Sequence, residues 1–193
     1  MWIGTLSIFG SGSHRYRLGP TLSVSALAEY EGRLGVRLPI EYRLFLIRIG
    51  HCGAGPYYGF FSLDDRDPQD ITELDQIQKP FVWTEAVNPY DWENPCGMED
   101  VWWDEEVEER RQVILRVPGT IYVCHYGCAI RFFLIVKGKC VGEVWRDSQT
   151  DDRGIMPERG ADGRHLGFLD WYDQWLDEGI AAQTTSRIMP QRL

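Results

Sequence analysis

The chain has 193 residues, of which 44% are hydrophobic and 25% charged, a balance typical of a folded globular protein with one sizeable domain. Its formal net charge of −9 disfavours direct binding to the phosphate backbone of nucleic acids and favours a basic partner, although simple solubility also accounts for such a charge. The sequence has no apolar run of about 18 residues and no basic leader before an apolar stretch, so it predicts neither a membrane span nor a secretory signal.

The cysteines indicate a reducing compartment. There are five of them at uneven spacing: Cys52, Cys96, Cys124, Cys128 and Cys140. An odd number without a regular pattern does not match a secreted disulfide framework. Because the chain also lacks a secretory signal, we predict reduced thiols and a cytoplasmic location.

Two helices are predicted in the first quarter of the chain. The first covers residues Ser23 to Leu34, with Ser23 as its N-cap and Gly35 at its end. The second runs from Pro39 to Ile49, and Gly50 is predicted to end it in a left-handed conformation. The apolar residues of this second stretch recur at helical spacing: Leu38, Tyr42, Phe45, Leu46 and Ile49.

A glycine-rich loop follows the second helix. It contains Gly53, Gly55, Pro56 and Gly59, and residues Tyr57–Leu63 are predicted to form a strand. The loop does not match a phosphate-binding loop, because it lacks the lysine and hydroxyl residue and follows a helix rather than preceding one. Of the paired tyrosines Tyr57 and Tyr58, one is predicted to pack and the other to be exposed.

A dense acidic segment lies beside two tryptophans. It contains seven acids and no base, namely Glu99, Asp100, Asp104, Glu105, Glu106, Glu108 and Glu109. One interpretation makes Trp102 and Trp103 anchors of an interface with a charged rim. The other places them, with Val101 and Val107, on the buried stripe of an amphipathic helix.

The second half of the chain predicts strands and a final helix. The predicted strands span residues 81–84, 119–126, 128–136 and 142–147, with Gly127 as a tight turn or bulge. The final helix runs from Phe168 to Glu178, and residues 180–193 are predicted to be a mobile tail. Helices followed by an antiparallel meander and another helix indicate the α+β class, as one domain over residues 1–179.

Several separated pieces of the chain resemble the SUKH superfamily, which includes the Smi/Knr cell-wall regulators of yeast and many bacterial immunity proteins. In chain order they are Phe9-Gly10-Ser11, Leu38-Pro39 with Phe45-Leu46, Gly53 to Gly59, Gly119-Thr120 with Tyr126-Gly127-Cys128, Val144-Trp145, and Phe168 to Tyr172 with Trp175-Leu176. They span residues 9 to 178. The chain departs from the family at His51-Cys52, where the family commonly has asparagine and glycine, and in the long acidic segment.

The resemblance implies a single α+β domain that binds a protein and has no catalytic residues, metal or cofactor. It implies an immunity protein that neutralises a cognate bacterial toxin, such as a nuclease, by stoichiometric binding; a regulatory interaction scaffold of the Smi/Knr type is the alternative. From their charge and aromatic content, the expected partner-binding residues are the seven acids of the acidic segment, Trp102, Trp103, Tyr57 and Tyr58. An acidic face formed by them would meet a basic toxin surface.

One cysteine-histidine cluster offers a chemical alternative. Cys124, His125 and Cys128 are residue types that bind zinc, but a structural zinc site usually takes four ligands from paired motifs. The other interpretation treats both cysteines as small buried apolar residues. We therefore predict no metal site here.

Two further groups bear on the possibility of an enzyme. Asp147, Asp151 and Asp152 have the oxygen ligands that a divalent cation prefers, as in a metal-dependent hydrolase, but their spacing matches no calcium loop and a solvated acidic loop is the alternative. His51 and Cys52 are adjacent, yet adjacency in sequence does not make a base and a nucleophile face each other. We predict no catalytic residues.

Overall fold

The computed structural model describes residues 8–63, 73–91 and 105–188 of the chain. Its four-stranded sheet is an antiparallel meander in the order β1-β2-β3-β4. The strands are β1 (Thr120–Gly127), β2 (Ile130–Ile135), β3 (Val144–Asp147) and β4 (Ile155–Pro157). The predicted α+β class and meander are therefore confirmed, while the short β4 was not predicted.

Helices surround this sheet. Within the described ranges they are α1 (Ser11–His14), α2 (Val24–Leu34), α3 (Ile40–Arg48), α4 (Leu74–Ile77), α5 (Glu105–Leu115) and α6 (Phe168–Ile188). The prediction for α2 is confirmed in detail, because the Ser23 side chain accepts a hydrogen bond from the Ala26 amide at 3.1 Å and Gly35 adopts a left-handed φ of 69°. Across the part of the chain described here, every helix is too short or too polar to span a bilayer.

Gly50 lies two residues beyond the end of α3, which stops at Arg48 with Ile49 as its C-cap, and it does not have the predicted role. Its φ is not among the positive values of the chain, so the predicted left-handed conformation is wrong. A Cβ atom at Gly50 would lie only 2.8 Å from the carbonyl oxygen of Gly19. Glycine is needed here because another segment of backbone approaches closely.

Of the two roles predicted for Gly127, the bulge agrees with the structure, because the register of β1 against β2 shifts between His125 and Gly127, while the turn itself comes after Gly127. Gly127 is the last residue of β1, and the two turn residues are Cys128 and Ala129. Both have left-handed φ angles, of 50° and 62°. Two successive positive φ angles are the geometry of a tight hairpin turn with the twist that antiparallel strands require.

Three extended segments continue the sheet beyond β1 through single bridges, in which Phe60 pairs with Cys124, Gly53 with Phe60, and Leu18 with Gly53. The segment Tyr57–Leu63 therefore lies along the edge of β1 but does not form the predicted strand. Positive φ angles at Tyr57 and Gly59, of 56° and 93°, interrupt the regular ladder. The segment still covers the edge of the sheet, which would otherwise expose unpaired backbone groups.

Side chains bury both faces of the sheet. One face packs against α2, α3 and α6 in a core that includes Phe45, Phe60, Phe132, Phe168 and Trp171. The other face packs against residues 81–91 and α5, in a core that includes Phe81, Val107, Ile114, Phe133 and Trp145. Because Phe132 and Phe133 are successive residues of β2, the two cores lie on opposite sides of the sheet, and so do α6 and α5.

The last helix is longer than predicted. α6 continues through Gly179 to Ile188, so the predicted end at Glu178 is wrong. Gly179 lets the start of the described chain pack on the helix, since a Cβ atom there would lie 2.7 Å from Cδ1 of Ile8. The predicted mobility of residues 180–193 stays a prediction, and residues 189–193 lie outside the described ranges.

Candidate functional site

Aromatic side chains from three distant parts of the chain meet near the end of β1. The ring centroid of Phe9 lies 4.8 Å from that of Tyr126 and 5.5 Å from that of Tyr58, and Tyr57 lies 4.8 Å from Tyr126. Phe9 is 53% exposed and Tyr126 is 41% exposed. We call Phe9, Tyr57, Tyr58 and Tyr126 the aromatic patch.

Backbone geometry in the glycine loop positions this patch. Gly10 has a left-handed φ of 79°, and a Cβ atom there would collide with the Tyr57 carbonyl, so glycine lets the N-terminal turn lie directly on the loop. Tyr57 stacks on Phe132 with ring centroids 4.7 Å apart, whereas Tyr58 stacks on His125 at 4.9 Å. Both tyrosines are half-buried, so the prediction of one packed and one exposed ring is wrong.

The residues of the cysteine-histidine cluster lie in three different environments. His125 is stacked between Tyr58 and Phe61, whose ring centroid is 5.5 Å away. Cys124 is fully buried, which raises the pKa of its thiol well above the ordinary value and keeps it protonated, while Cys128 is exposed in the hairpin turn. Among the residues that the structure describes, no three histidine, cysteine or acidic side chains are arranged to hold a metal ion.

The other candidate chemical groups have structural contacts of their own. Asp147 accepts hydrogen bonds from the Tyr122 hydroxyl at 2.7 Å and the Gln149 amide at 3.0 Å, which uses both of its oxygens. His51 is buried and its backbone amide donates to the carbonyl of Pro20 at 3.0 Å, while Nδ1 of its imidazole is buried without a hydrogen-bond partner. The cysteines Cys52, Cys124, Cys128 and Cys140 form no disulfide with one another, and Cys96 lies outside the described residues.

A polar group adjoins the aromatic patch through Tyr57. Nε of Arg146 lies 3.5 Å from Oε1 of Glu158, and Nη2 of Arg146 lies 3.3 Å from Sδ of Met156. The Arg146 side chain is 41% exposed and that of Glu158 is 16% exposed. Glu178 of α6 is exposed and close enough to influence both Tyr57 and Glu158. We call Tyr57, Arg146, Glu158 and Glu178 the polar corner.

Electrostatics in the polar corner are net negative. Burial raises the pKa of Glu158, the Arg146 guanidinium opposes this shift, and the Glu178 carboxylate adds to it. Burial also raises the pKa of Tyr57, with Glu158 as the strongest of the neighbouring charges. A charged carboxylate at Glu158 is therefore only partly compensated by Arg146.

Glu158 gives a prediction for the pH dependence of stability. Because its pKa is raised in the folded protein, its contribution to stability is full below the unfolded-state pKa of about 4.3 and is lost as the pH rises through the folded-state value. The variant Glu158→Gln mimics the neutral carboxyl, so we expect it to gain stability relative to the natural chain as the pH rises above about 4.3. Urea unfolding of both proteins from acid to neutral pH measures this, and a pH-independent difference would contradict it.

The acidic segment is only partly described. Glu105 and Glu109 are exposed on α5, while Glu108 receives hydrogen bonds from Gln112 at 2.8 Å and Arg111 at 3.3 Å, which lower its pKa. The remaining predicted partner-binding residues of this segment, Glu99, Asp100, Trp102, Trp103 and Asp104, lie outside the described residues, as does the Glu106 side chain. The acids of α5 and the polar corner lie on opposite sides of the sheet.

Of the predicted site residues, the structure brings Tyr57 and Tyr58 together with residues that sequence reasoning did not assign to a site. Phe9 and Tyr126 were visible only as parts of the family resemblance, where they carried no role. No sequence pattern distinguished Arg146, Glu158 or Glu178, because single charges at a strand or helix surface are common. Their grouping depends on the pairing of β3 with β4 and on the path of α6.

Comparisons with known proteins leave the family of this chain open. No family model matches it, and neither the curated proteins nor the solved structures provide a match. The likeness to SUKH proteins therefore rests on the sequence motifs alone. Any function must be argued from the aromatic patch, the polar corner and the charge of the chain.

Proposed function

We propose that this chain is a non-enzymatic cytoplasmic binding protein of the SUKH type that neutralises a cognate bacterial toxin by binding it stoichiometrically. The observation that supports the proposal is the aromatic patch, in which Phe9 and Tyr126 expose about half of their surface while packing against each other. Exposed aromatic residues that pack against one another are typical anchors of protein interfaces.

The charge of the chain favours a basic toxin domain as the partner, such as a nuclease that presents a positive surface to nucleic acid. A net charge of −9 attracts such a surface over a distance and raises the rate of encounter. In this proposal the acids of the acidic segment, Glu105 and Glu109 among them, speed the approach. The aromatic patch then supplies the buried contact that sets the lifetime of the complex.

Co-expression of the full chain with a basic toxin domain encoded by the adjacent gene tests the proposal. We expect rescue of growth and a complex of one copy of each protein by size-exclusion chromatography with light scattering. Replacing Tyr126 by alanine is expected to weaken binding by about 2 kcal/mol, roughly thirtyfold. Val24→Ala is the matched control, because Val24 is also exposed but lies on α2.

Two results would contradict the proposal. The first is the absence of both a complex and rescue when the two proteins are made in equal amounts. The second is full rescue by an amount of the chain far below that of the toxin, since a stoichiometric inhibitor cannot act by turnover. A complex that Tyr126→Ala and Val24→Ala weaken equally would remove the aromatic patch from the proposal.

A further inference from the structure

The outer side of α3 is apolar as well as its inner side. The inner side buries Tyr42, Phe45 and Leu46 in the core, whereas on the outer side Ile40 is 64% exposed and Leu44 is 46% exposed. At about 100° per residue, Ile40 and Leu44 lie within about 40° of each other and on the side opposite the buried residues. We call these two residues the α3 stripe. A helix that is apolar on both sides is normally covered on both sides.

Basic side chains flank the α3 stripe. Arg37 is exposed just before the helix, and Arg48 is exposed at its last residue. Neither of them forms an ion pair with a residue that the structure describes. The acids nearby are already engaged, because Glu31 pairs with Arg43 at 2.9 Å and Glu41 accepts a hydrogen bond from the first turn of α6 at 3.1 Å. The stripe is therefore an apolar surface with excess positive charge at both ends.

α6 presents a surface of the opposite charge. Leu176 is 39% exposed and Ile180 is 62% exposed, at the same four-residue spacing as the two residues of the α3 stripe. Asp173 and Asp177 are exposed three residues before them, which places the two carboxylates in the adjacent row of the helix. Within the described part of the chain, neither aspartate has an ion-pair partner. We call these four residues the α6 stripe.

The two stripes face the same direction. α3 and α6 are neighbours in one layer on the sheet, where the Phe168 ring lies 4.7 Å from that of Tyr42 and 5.1 Å from that of Phe45. Since the inner sides of both helices point toward the sheet, their exposed sides both point away from it. A surface that carries two complementary halves side by side can bind a second copy of itself about a two-fold axis.

We propose that the α3 stripe of one copy packs on the α6 stripe of a second copy, in a two-fold symmetric dimer of this chain. The contact occurs twice in the dimer. Apolar side chains at matched spacing interdigitate, while the arginines that flank α3 approach the aspartates of α6. The apolar side chains involved are few and only partly exposed, so the interface is small and a Kd of about 10–100 µM is expected.

A second copy fits these stripes better than an unrelated partner does. A uniformly basic protein would be repelled by Arg37 and Arg48, and a uniformly acidic one by Asp173 and Asp177. Only a surface with both signs, arranged in the reverse order, complements the whole layer. The inference is independent of the proposed function, because at low micromolar concentration the chain would be a monomer and bind its partner one to one.

Analytical ultracentrifugation of the full chain from about 2 µM to about 500 µM tests the dimer. We expect the mass to rise from that of one chain toward that of two. Leu44→Gln is expected to weaken dimerisation about tenfold or more, because each dimer contains the change twice. Val113→Gln is the matched control and should have no effect, since Val113 is 42% exposed but lies on α5 beyond the other face of the sheet.

A pair of charge reversals tests which helix meets which. One variant combines Arg37→Glu with Arg48→Glu, and the other combines Asp173→Lys with Asp177→Lys. Each alone brings like charges together at both contacts, so we expect dimerisation at least tenfold weaker than in the natural chain. An equal mixture of the two variants restores opposite charges at both contacts, and we expect it to form a mixed dimer. All four positions are exposed, so the variants are expected to fold, which circular dichroism checks.

Three results would overturn the inference. The first is the mass of a single chain at every concentration, which would leave the α3 stripe to a different protein. The second is a dimer that Leu44→Gln and Val113→Gln weaken equally, because the contact would then lie elsewhere. The third is a mixture of the charge-reversed variants that stays monomeric, since α3 would then not face α6 across the dimer.

Discussion

Replacing Phe168 by alanine is expected to lower the free energy of unfolding by about 3–5 kcal/mol. Phe168 is fully buried at the first turn of α6, with its ring centroid 4.7 Å from that of Tyr42, 5.1 Å from Phe45 and 5.6 Å from Phe60. Alanine would remove these contacts and leave a cavity between α3, α6 and the glycine loop. Because domains are stable by only about 5–15 kcal/mol, this loss would unfold a large share of the protein on mild heating.

Urea unfolding of Phe168→Ala and of Leu176→Ala measures this effect against a control on the same helix. Leu176 is 39% exposed, so its truncation is expected to cost about 1 kcal/mol or less. Equal losses for the two variants would mean that the start of α6 is not anchored in the core as described.

The helices and the central strands could be predicted because their signals are local. In α2 the cap at Ser23 and the glycine at position 35 lie next to the periodic apolar residues that they delimit. The strand β4 was missed since it has only three residues and includes Pro157. Its place is decided by pairing with β3 rather than by its own composition.

The segment at the end of the glycine loop has the composition of a strand without its regular geometry. Tyr57–Leu63 has the composition of a strand, and it does lie along β1, where the Phe61 amide donates to the Val123 carbonyl at 2.9 Å. Its regularity is broken by the left-handed backbone at Tyr57. A non-glycine residue rarely adopts that conformation, so sequence reasoning had no ground to expect it.

The candidate site could be predicted only in part, because most of it is assembled by tertiary contacts. Tyr57 and Tyr58 stand out as an aromatic pair beside glycines. Phe9 and Tyr126 approach them only because Gly10 lets the N-terminal turn pack on the loop and β1 ends at this point. Such proximity has no periodic signature in the sequence.

The helix that contains the end of the acidic segment carries basic residues as well as acids. The acids at the start of α5 are followed on the same helix by Arg110 and Arg111, and by Arg116 just beyond its end. Arg111 already pairs with Glu108 at 3.3 Å. The described part of this segment is therefore a surface of mixed charge. Glu105 and Glu109 are its exposed acids, and no lysine or arginine precedes them in the acidic segment.

Replacing Glu105 and Glu109 together by lysine is expected to slow association with the basic partner by about tenfold or more at low salt. Both side chains are exposed, so their charges act through solvent on an approaching positive surface. The dissociation rate is expected to stay the same, because α5 lies on the side of the sheet opposite Tyr57 of the aromatic patch, which sets the lifetime of the complex in the proposal. Stopped-flow kinetics at about 0.05 M and about 0.5 M salt measure both rates, and the difference between variant and natural chain should shrink at the higher salt.

A charge-matched control decides whether position or net charge is responsible. Replacing Glu29 and Asp177 by lysine makes the same change of net charge on α2 and α6. If that pair slows association as much as the α5 pair does, the acidic segment has no special part in steering. An unchanged association rate for the α5 pair at low salt would contradict the electrostatic proposal itself. A faster dissociation would place α5 inside the contact surface, so the partner would then have to bind the side of the sheet away from the aromatic patch.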